Sequence, residues 1–387
     1  MRTWISLLLP PAILVGGVLA WHWWQHQHDR RVLPGEGHSE VRCERQFNTL
    51  GTTGRLELWG EKSLTEAVAN EMVERLQSLH NRLNLFDNTS ELSRLNRNAA
   101  QKPFPCSQEL WDILLAARAA HRETRGAFDL SGGPLLKLWN GPPRRTAEPG
   151  PEEIRAALAS VGMDKIRFDD QARTLFFTRP GMSLDLSVMA NGYALDQAAA
   201  MAETAGIHRG MIHLGDSSIC LSLPPPSALT YSVGLRDPAG TPDHPQEILH
   251  LLAATAAATS ANAAPERSLD QPSAGRIMDP KTGRPVTQII AATVVTRLGV
   301  NAEMWAAAIV VAGPTLAQEL IHAYPETYVL LTCRQADGRL STTKYPNPQF
   351  GQNLPARGAM PTPAGGENLT PPGGQFAVAD TRPGDVR

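Results

Sequence analysis

The sequence of 387 residues lacks several features that define common classes of protein. Basic residues are not in excess, since the formal net charge is −2, and a cationic surface for nucleic acid is therefore not expected. The four cysteines match no zinc-binding spacing, and they leave disulfides and free thiols equally open; they are Cys43, Cys106, Cys220 and Cys333. The motifs show no internal repeat.

Apolar residues, by contrast, are plentiful. They make up 42% of the chain, enough to build a large core in one big domain or two ordinary ones. The segments that favour strands and helices are mixed along the chain and do not alternate regularly. This mixture predicts an α+β fold and not a doubly wound parallel sheet.

The N-terminal residues 1–31 form a distinct segment. A basic start at Arg2 precedes an almost uninterrupted apolar run from Trp4 to Trp21, and a His-rich stretch follows. This pattern is typical of a secretory signal or of an uncleaved membrane anchor. The tryptophans around Trp23 suit a membrane interface and favour the anchor, with the rest of the chain facing the periplasm, although Ala20 offers a cleavage site.

Three further segments follow from composition and periodicity. Residues 32–45 are predicted to be a linker, residues 46–345 the working domain, and residues 346–387 a disordered tail rich in Pro and Gly. Within the domain, we expect a hairpin over Gln46–Trp59, turning at Gly51 and Gly54. Amphipathic spacing predicts a helix over Leu64–Leu83 with Ser63 as its N-cap.

The segment around which the domain is organised runs from Leu184 to Asp196. An apolar, strand-like run ends at Asp185, and an Ala-rich helix opens near Gly192. The free N–H groups at a helix start can bind an anionic ligand. An Asp in this position can also cap the helix, and this segment alone does not separate the two readings.

Other motifs surround this segment in a recognisable order. They are Gly51-Thr-Thr-Gly54, Ser90-Glu-Leu-Ser-Arg-Leu-Asn96, Gly126-Ala-Phe-Asp129 with Leu130 to Trp139, and Arg276-Ile-Met-Asp-Pro-Lys-Thr-Gly-Arg-Pro285. In order and separation they resemble the FAD:protein FMN transferase family, which is ApbE-like. The resemblance extends from about Phe47 to Tyr328.

The resemblance implies a T-fold-like domain of mixed sheets with packed helices. It also implies an activity: transfer of FMN from FAD to a Thr or Ser hydroxyl of a partner flavoprotein, with release of AMP and with Mg²⁺. The acceptor would belong to a membrane or periplasmic redox system. Such chemistry needs a divalent ion to neutralise the pyrophosphate and an oriented acceptor hydroxyl.

The same resemblance assigns a set of residues to FAD. Phe86 stands where the family commonly has Tyr, Leu50 where it has Met, and Asn191 where it has Lys. The substitution at Asn191 removes a cation beside the phosphates and leaves a neutral amide donor. The full set of implied FAD contacts is Leu50, Phe86, Ala127, Phe128, Asp129, Asp185, Asn191 and Ile277.

The ion and the chemistry fall on four further positions. Glu303 occupies the place of the family's metal-binding Asp, Ala307 that of a Thr or Ser one helical turn later, and Val188 offers a backbone carbonyl. Residues four apart share a helix face, but Ala307 brings no side-chain oxygen, so water would fill its place. Arg276 replaces the family's His. It can hold phosphate but cannot serve as a base, so Glu303 is the candidate for taking the proton of the acceptor hydroxyl.

Two other functions compete with transfer. One is a degenerate, non-catalytic member that binds FAD or a redox partner as an assembly factor. The other is a hydrolase that splits FAD into FMN and AMP. Glu303 also has an alternative without a function: it could be a solvated residue on the surface of a helix.

Overall fold

The structure, a computed structural model, describes residues 40–141, 147–215, 217–221, 223–236, 245–251, 255–262, 277–324, 326–346 and 376–379. The helices are α1 Lys62–Leu83, α2 Glu91–Asn98, α3 Gln108–Glu123, α4 Gly133–Asn140, α5 Pro151–Leu158, α6 Ala190–Thr204, α7 Gly299–Ala312 and α8 Pro314–Ala323, with 3-10 turns at Leu130–Gly132 and Met163–Lys165. The strands are β1 Val41–Thr49, β2 Thr52–Gly60, β3 Phe104–Pro105, β4 Ile166–Asp169, β5 Thr174–Phe177, β6 Arg209–Leu214, β7 Ser218–Leu221, β8 Tyr231–Arg236, β9 Pro245–Leu251, β10 Thr255–Ala261, β11 Ile289–Thr296, β12 Tyr328–Arg334, β13 Leu340–Pro346 and β14 Phe376–Ala379.

An eight-stranded sheet in the order β1-β2-β6-β7-β10-β11-β12-β13 forms the centre of the fold. Its neighbouring strands all pair antiparallel. Two three-stranded sheets, β14-β8-β9 and β3-β5-β4, accompany it. The strand pairs of the two smaller sheets are also antiparallel, so the prediction of an α+β fold with packed helices is confirmed, but the described sheets are antiparallel and not mixed.

Both faces of the central sheet are covered. A large apolar core joins one face to the helices, and a second cluster joins the other face to β8 and β9 through residues such as Ile219, Val233 and Leu251. Strand β11 lies between these layers, and every one of its residues is buried. Such a continuous apolar run is what a strand covered on both faces requires.

Several predicted boundaries need correction. The first strand begins at Val41, inside the predicted linker, and Gly54 lies within β2, where an added Cβ would lie 2.4 Å from a ring atom of Phe47. Helix α1 is capped by Glu61, whose carboxylate accepts from the N–H groups of Ser63 and Leu64, so the prediction of Ser63 as N-cap was wrong.

The two ends of the chain fall largely outside the described residues. This holds for the predicted anchor, residues 1–31, and for most of the predicted tail, residues 346–387. Within the tail, Phe376–Ala379 is described and pairs antiparallel with β8, so disorder was wrong for those four residues. In the part of the chain that the structure covers, no helix combines the length and apolarity needed to cross a membrane.

The structure shows whether the four cysteines are paired. Cys43, Cys106 and Cys220 are buried, Cys333 is half-buried, and none of the four forms a disulfide. Burial raises the pKa of the Cys106 thiol to about 12, which keeps it protonated at neutral pH.

Candidate functional site

Helices α6 and α7 begin beside each other, and each supplies the carboxylate that caps the other. Glu303 of α7 accepts at Oε2 from the Gly192 N–H of α6 at 2.8 Å. Asp196 of α6 accepts from the N–H groups of Gly299 and Val300 at 2.6 and 2.9 Å. The first N–H groups of a helix have no partner within it, so these carboxylates satisfy donors that neither helix could satisfy itself.

Glycine makes this arrangement possible. A Cβ on Gly192 would lie 2.3 Å from the carbonyl oxygen of Gly299 and 2.7 Å from the nitrogen of Val300. A Cβ on Gly299 would lie 2.8 Å from the carbonyl oxygen of Gly192. Because both obstacles are backbone atoms, no side-chain rotation relieves them, and the two helix starts can approach only through glycine.

Glu303 is buried, with 7% of its surface exposed, so the interpretation as a solvated helix residue was wrong. Its second oxygen, Oε1, accepts from the Ser218 hydroxyl at 2.5 Å. Burial raises the pKa of Glu303 to about 7, although the hydrogen bonds from Ser218 and Gly192 act in the opposite direction. Loss of solvation likewise raises the pKa of Asp196 to about 7.

Sequence reasoning missed Ser218. It lies at the start of β7, three residues after Gly215, and is 1% exposed. The signal available in the sequence was a pair of adjacent serines after a strand end. Nothing in the local pattern links them to Glu303, which lies 85 residues further along the chain.

The other residues implied for the ion lie on α7 and in the turn before α6. Ala307 is buried on α7, one turn after Glu303, and its side chain offers no ligand atom. Val188 is 37% exposed in the turn before α6, and Asn191 is half-buried in the first turn of that helix. The start of α6 therefore lies next to the carboxylate of Glu303.

Asp129 is held by protein donors. Its carboxylate accepts from the Ser131 N–H at 2.8 Å, the Ser131 hydroxyl at 2.5 Å and the Met163 N–H at 3.1 Å. Its side chain is 3% exposed, and Ala127 and Phe128 are also buried. These side chains stabilise the loop, and their contact with FAD stays a prediction.

Asp185 lies in a turn fixed from two sides. Its carboxylate accepts from the Ser187 N–H at 2.9 Å, within the turn that leads to α6, while its own N–H donates to the Leu130 carbonyl at 2.9 Å. The amide of Asn96 donates to the carbonyl of Leu184 at 2.9 Å and accepts from its N–H at 2.8 Å. Three of the sequence motifs therefore meet at this turn.

The β1–β2 turn and the Ile277 segment join the same end of the central sheet. Leu50 and Gly51 adopt positive φ angles of 49° and 75°, and Leu50 packs against the core. Gly215 follows β6 and donates to the Thr53 carbonyl at 2.8 Å. Ile277 donates its N–H to the side chain of Asn262, just past β10.

Two predicted site residues stand apart. Arg276 lies outside the described residues. Phe86 lies in the loop between α1 and α2 and is 97% exposed, so its ring has almost no contact with the protein and is free to contact a ligand.

Several of the predicted site segments are thus joined by one series of hydrogen bonds. Hydrogen bonds lead from Asn96 to Leu184 and from Leu130 to Asp185, and the helix start that follows is bonded to Glu303. Glu303 is bonded in turn to Ser218. Motifs dispersed over most of the chain are brought together, as a single site would require.

Comparison with known proteins fits this arrangement. The chain is 27% identical over 279 residues to an FAD:protein FMN transferase of Klebsiella pneumoniae, covering 70% of this chain and 79% of the relative. It is 25% identical over 328 residues to that of Escherichia coli K12, covering 83% and 92%.

Solved structures show the same fold. The flavin transferase ApbE of Vibrio cholerae matches with a TM-score of 0.69 at 24% identity, covering 81% of this chain and 99% of that one. The ApbE protein of Thermotoga maritima also gives 0.69 at 24% identity, covering 78% and 97%. The ApbE family model matches residues 50–331, and the chain therefore belongs to the ApbE family.

Proposed function

We propose that this protein transfers FMN from FAD to a Thr or Ser hydroxyl of a partner flavoprotein and releases AMP. The bond between the FMN phosphorus and the oxygen bridging to AMP breaks, and a bond from that phosphorus to the acceptor oxygen forms. AMP and the acceptor's proton are released. The observation that carries the proposal is the network in which the family's motifs meet around the starts of α6 and α7.

The described residues fit a role for Mg²⁺. This ion takes oxygen ligands and is commonly bound by one or two carboxylates together with substrate phosphates. The described residues contain no cluster of three or more His, Cys, Asp and Glu that could hold a metal ion, so the protein alone forms no cage. Glu303 supplies one carboxylate and Val188 a backbone carbonyl, which matches an ion shared with the substrate. Such an ion would neutralise charge on the pyrophosphate.

The protein's own groups prepare the site. The Asn96 amide fixes Leu184, and the Asp185 N–H bond to Leu130 fixes the turn before α6. In the first turn of α6 the N–H groups of Ala190, Gly192 and Tyr193 already have acceptors within the protein, so they are not available to a phosphate. With Asn191 in place of Lys, the cation at the phosphates is assigned to Arg276 instead.

A second candidate function is FAD or partner binding without transfer, as an assembly factor. The observation that favours it is Ala307, which is buried and carries no oxygen where the family pattern places a hydroxyl. In this case the protein would have the same fold and would bind FAD, but it would not catalyse the transfer.

One assay separates these functions. The full-length protein is incubated with FAD, Mg²⁺ and a candidate flavoprotein, and the products are followed by mass spectrometry. AMP with FMN bound covalently to the partner supports transfer, AMP with free FMN indicates hydrolysis, and bound intact FAD indicates assembly. Glu303→Ala should abolish transfer, whereas Glu203→Ala, an exposed glutamate on α6, should not.

We also propose that the protein is tethered to the inner membrane through residues 1–31 and acts in the periplasm on a redox partner. The basic start, the apolar run and the tryptophans of that segment support this location. Mass spectrometry of the protein purified from membranes tests the tether. An N-terminus processed after Ala20 would contradict it.

A further inference from the structure

Ser218 and Glu303 form a buried pair of oxygen-bearing side chains next to the start of α6. The Ser218 hydroxyl donates to Oε1 of Glu303 at 2.5 Å, and the Gly192 N–H donates to Oε2 at 2.8 Å. Ser218 is 1% exposed and Glu303 7%. The position of each oxygen is therefore set by the surrounding backbone.

A hydroxyl is what the cation site implied by the proposed function lacks beside the carboxylate of Glu303. On α7, Ala307 occupies the position one turn after Glu303 and presents only a methyl group. Ser218 reaches the same carboxylate from β7, on the sheet side, and not from the helix. A hydroxyl has one proton to donate and two lone pairs. The Ser218 hydroxyl donates to Glu303 and can accept from the Ser217 hydroxyl at 3.3 Å, so one lone pair is left for a cation.

We propose that the Ser218 hydroxyl supplies the oxygen that Ala307 lacks, so that Glu303 and Ser218 are the protein's side-chain ligands for the divalent cation. This inference rests on the proposed function, because the cation is the one shared with FAD. The hydrogen bond between the two groups also orients the carboxylate, as outer partners of metal ligands commonly do. Water is then not needed at the place left by Ala307.

A purely structural role is the competing explanation. In that case the Ser218 hydroxyl only satisfies Oε1 of a buried carboxylate, and its loss would lower stability without changing cation binding. The two explanations differ in cation affinity and cation preference, which are measurable without turnover.

The first experiment measures Mn²⁺ binding to the full-length protein loaded with FAD, by electron paramagnetic resonance of the free ion. Removing one ligand or its orienting partner should weaken binding about 10- to 100-fold, and Ser218→Ala is expected to do so. Thr204→Ala is the matched control, since it removes an exposed hydroxyl at the other end of α6, which bonds only to the Ala200 carbonyl, and it should bind Mn²⁺ as the wild type does. Ala307→Ser added to Ser218→Ala should recover part of the affinity.

The second experiment changes the ligand atom. Thiolate ligands favour soft metals over Mg²⁺, so Ser218→Cys should bind Mg²⁺ more weakly and Cd²⁺ more tightly than the wild type. The gain should appear as a thiolate-to-cadmium absorption band above the baseline that the four native thiols give in the wild type. A structural hydroxyl would produce no such change in preference.

The outcomes separate this inference from the function on which it rests. If the wild type binds Mn²⁺ with FAD and Ser218→Ala binds it equally well, Ser218 is not a ligand and the proposed function stands. The same conclusion follows if Ser218→Cys gains no affinity for Cd²⁺. If the FAD-loaded wild type binds no Mn²⁺, both the ligand assignment and the metal-dependent reaction are wrong.

Discussion

Replacing Gly192 by Ala tests the contact between the starts of α6 and α7 directly. The added Cβ would lie 2.3 Å from the carbonyl oxygen of Gly299 and 2.4 Å from its carbon. Since carbon contacts normally lie at about 3.5 Å, the two helix starts must separate by about 1 Å. That movement lengthens the bonds by which Glu303 and Asp196 cap the helices.

The competing terms can be compared. Overpacking in a close contact costs about 1–3 kcal/mol, and weakening two caps costs about 1 kcal/mol each. Alanine is favoured over glycine in a helix by about 1 kcal/mol, which offsets only part of this. The free energy of unfolding should therefore fall by about 2–4 kcal/mol, which lowers Tm by about 4–16 °C at about 2–4 °C per kcal/mol.

Thermal unfolding followed by circular dichroism measures the effect. Gly132→Ala is the matched control, because Gly132 has φ −66° and nothing within 4 Å of an added Cβ. Its Tm should stay within about 2 °C of the wild type. A Gly192→Ala protein as stable as the wild type would refute the close helix contact.

Three further predictions concern the pH dependence of stability, the hydrogen bonds between Asn96 and Leu184, and the exposed ring of Phe86. The pKa values of Glu303 and Asp196, raised to about 7, lie above those of the unfolded chain, so the stability that these groups confer at acidic pH is lost as pH rises through about 7. The urea concentration at the midpoint of unfolding should therefore decrease between pH 5 and pH 8. Glu303→Gln should remove about half of this decrease. Asn96→Ala leaves the N–H and carbonyl of Leu184 unpaired, so the free energy of unfolding measured with urea should fall by about 2 kcal/mol. An unchanged midpoint would show that these two hydrogen bonds do not stabilise the turn. Phe86→Ala should leave Tm unchanged but weaken FAD binding about 5-fold or more in fluorescence titration, and equal affinity would remove Phe86 from the site.

Much of the fold could be predicted from local patterns. The amphipathic spacing of α1, the hairpin of β1 and β2 and the apolar run of β11 each follow from the periodicity of their own residues. The alanine-rich segment that contains Pro245–Leu251 and Thr255–Ala261 forms two strands, β9 and β10. Its alanines fit either a helix or a strand, and only pairing with β8 and β11 decides between them.

The site was less accessible to sequence reasoning. The sequence pointed to Glu303 as a ligand but gave no sign that it would be buried at the start of α6, 111 residues away from Gly192. Ser218 carried no recognisable pattern, because its importance comes from a contact across the fold. Family motifs locate the segments, and only tertiary pairing shows which atoms of those segments meet.

The carboxylates of the site share a property that their separate motifs did not indicate. Asp129, Asp185, Asp196 and Glu303 each accept at least one backbone N–H from a turn or a helix start. A carboxylate has two oxygens with about four lone-pair positions, so it can fix a loop and still bind a ligand. At Asp129 and Asp196 both oxygens are taken by protein donors, and at Glu303 the second oxygen meets only the Ser218 hydroxyl. Asp129 and Glu303 each accept a hydroxyl, a group that can also bind a cation, whereas Asp196 accepts only backbone N–H groups. Asp129 accepts from two backbone N–H groups and Glu303 from one, so Glu303 keeps more of its lone pairs for a ligand.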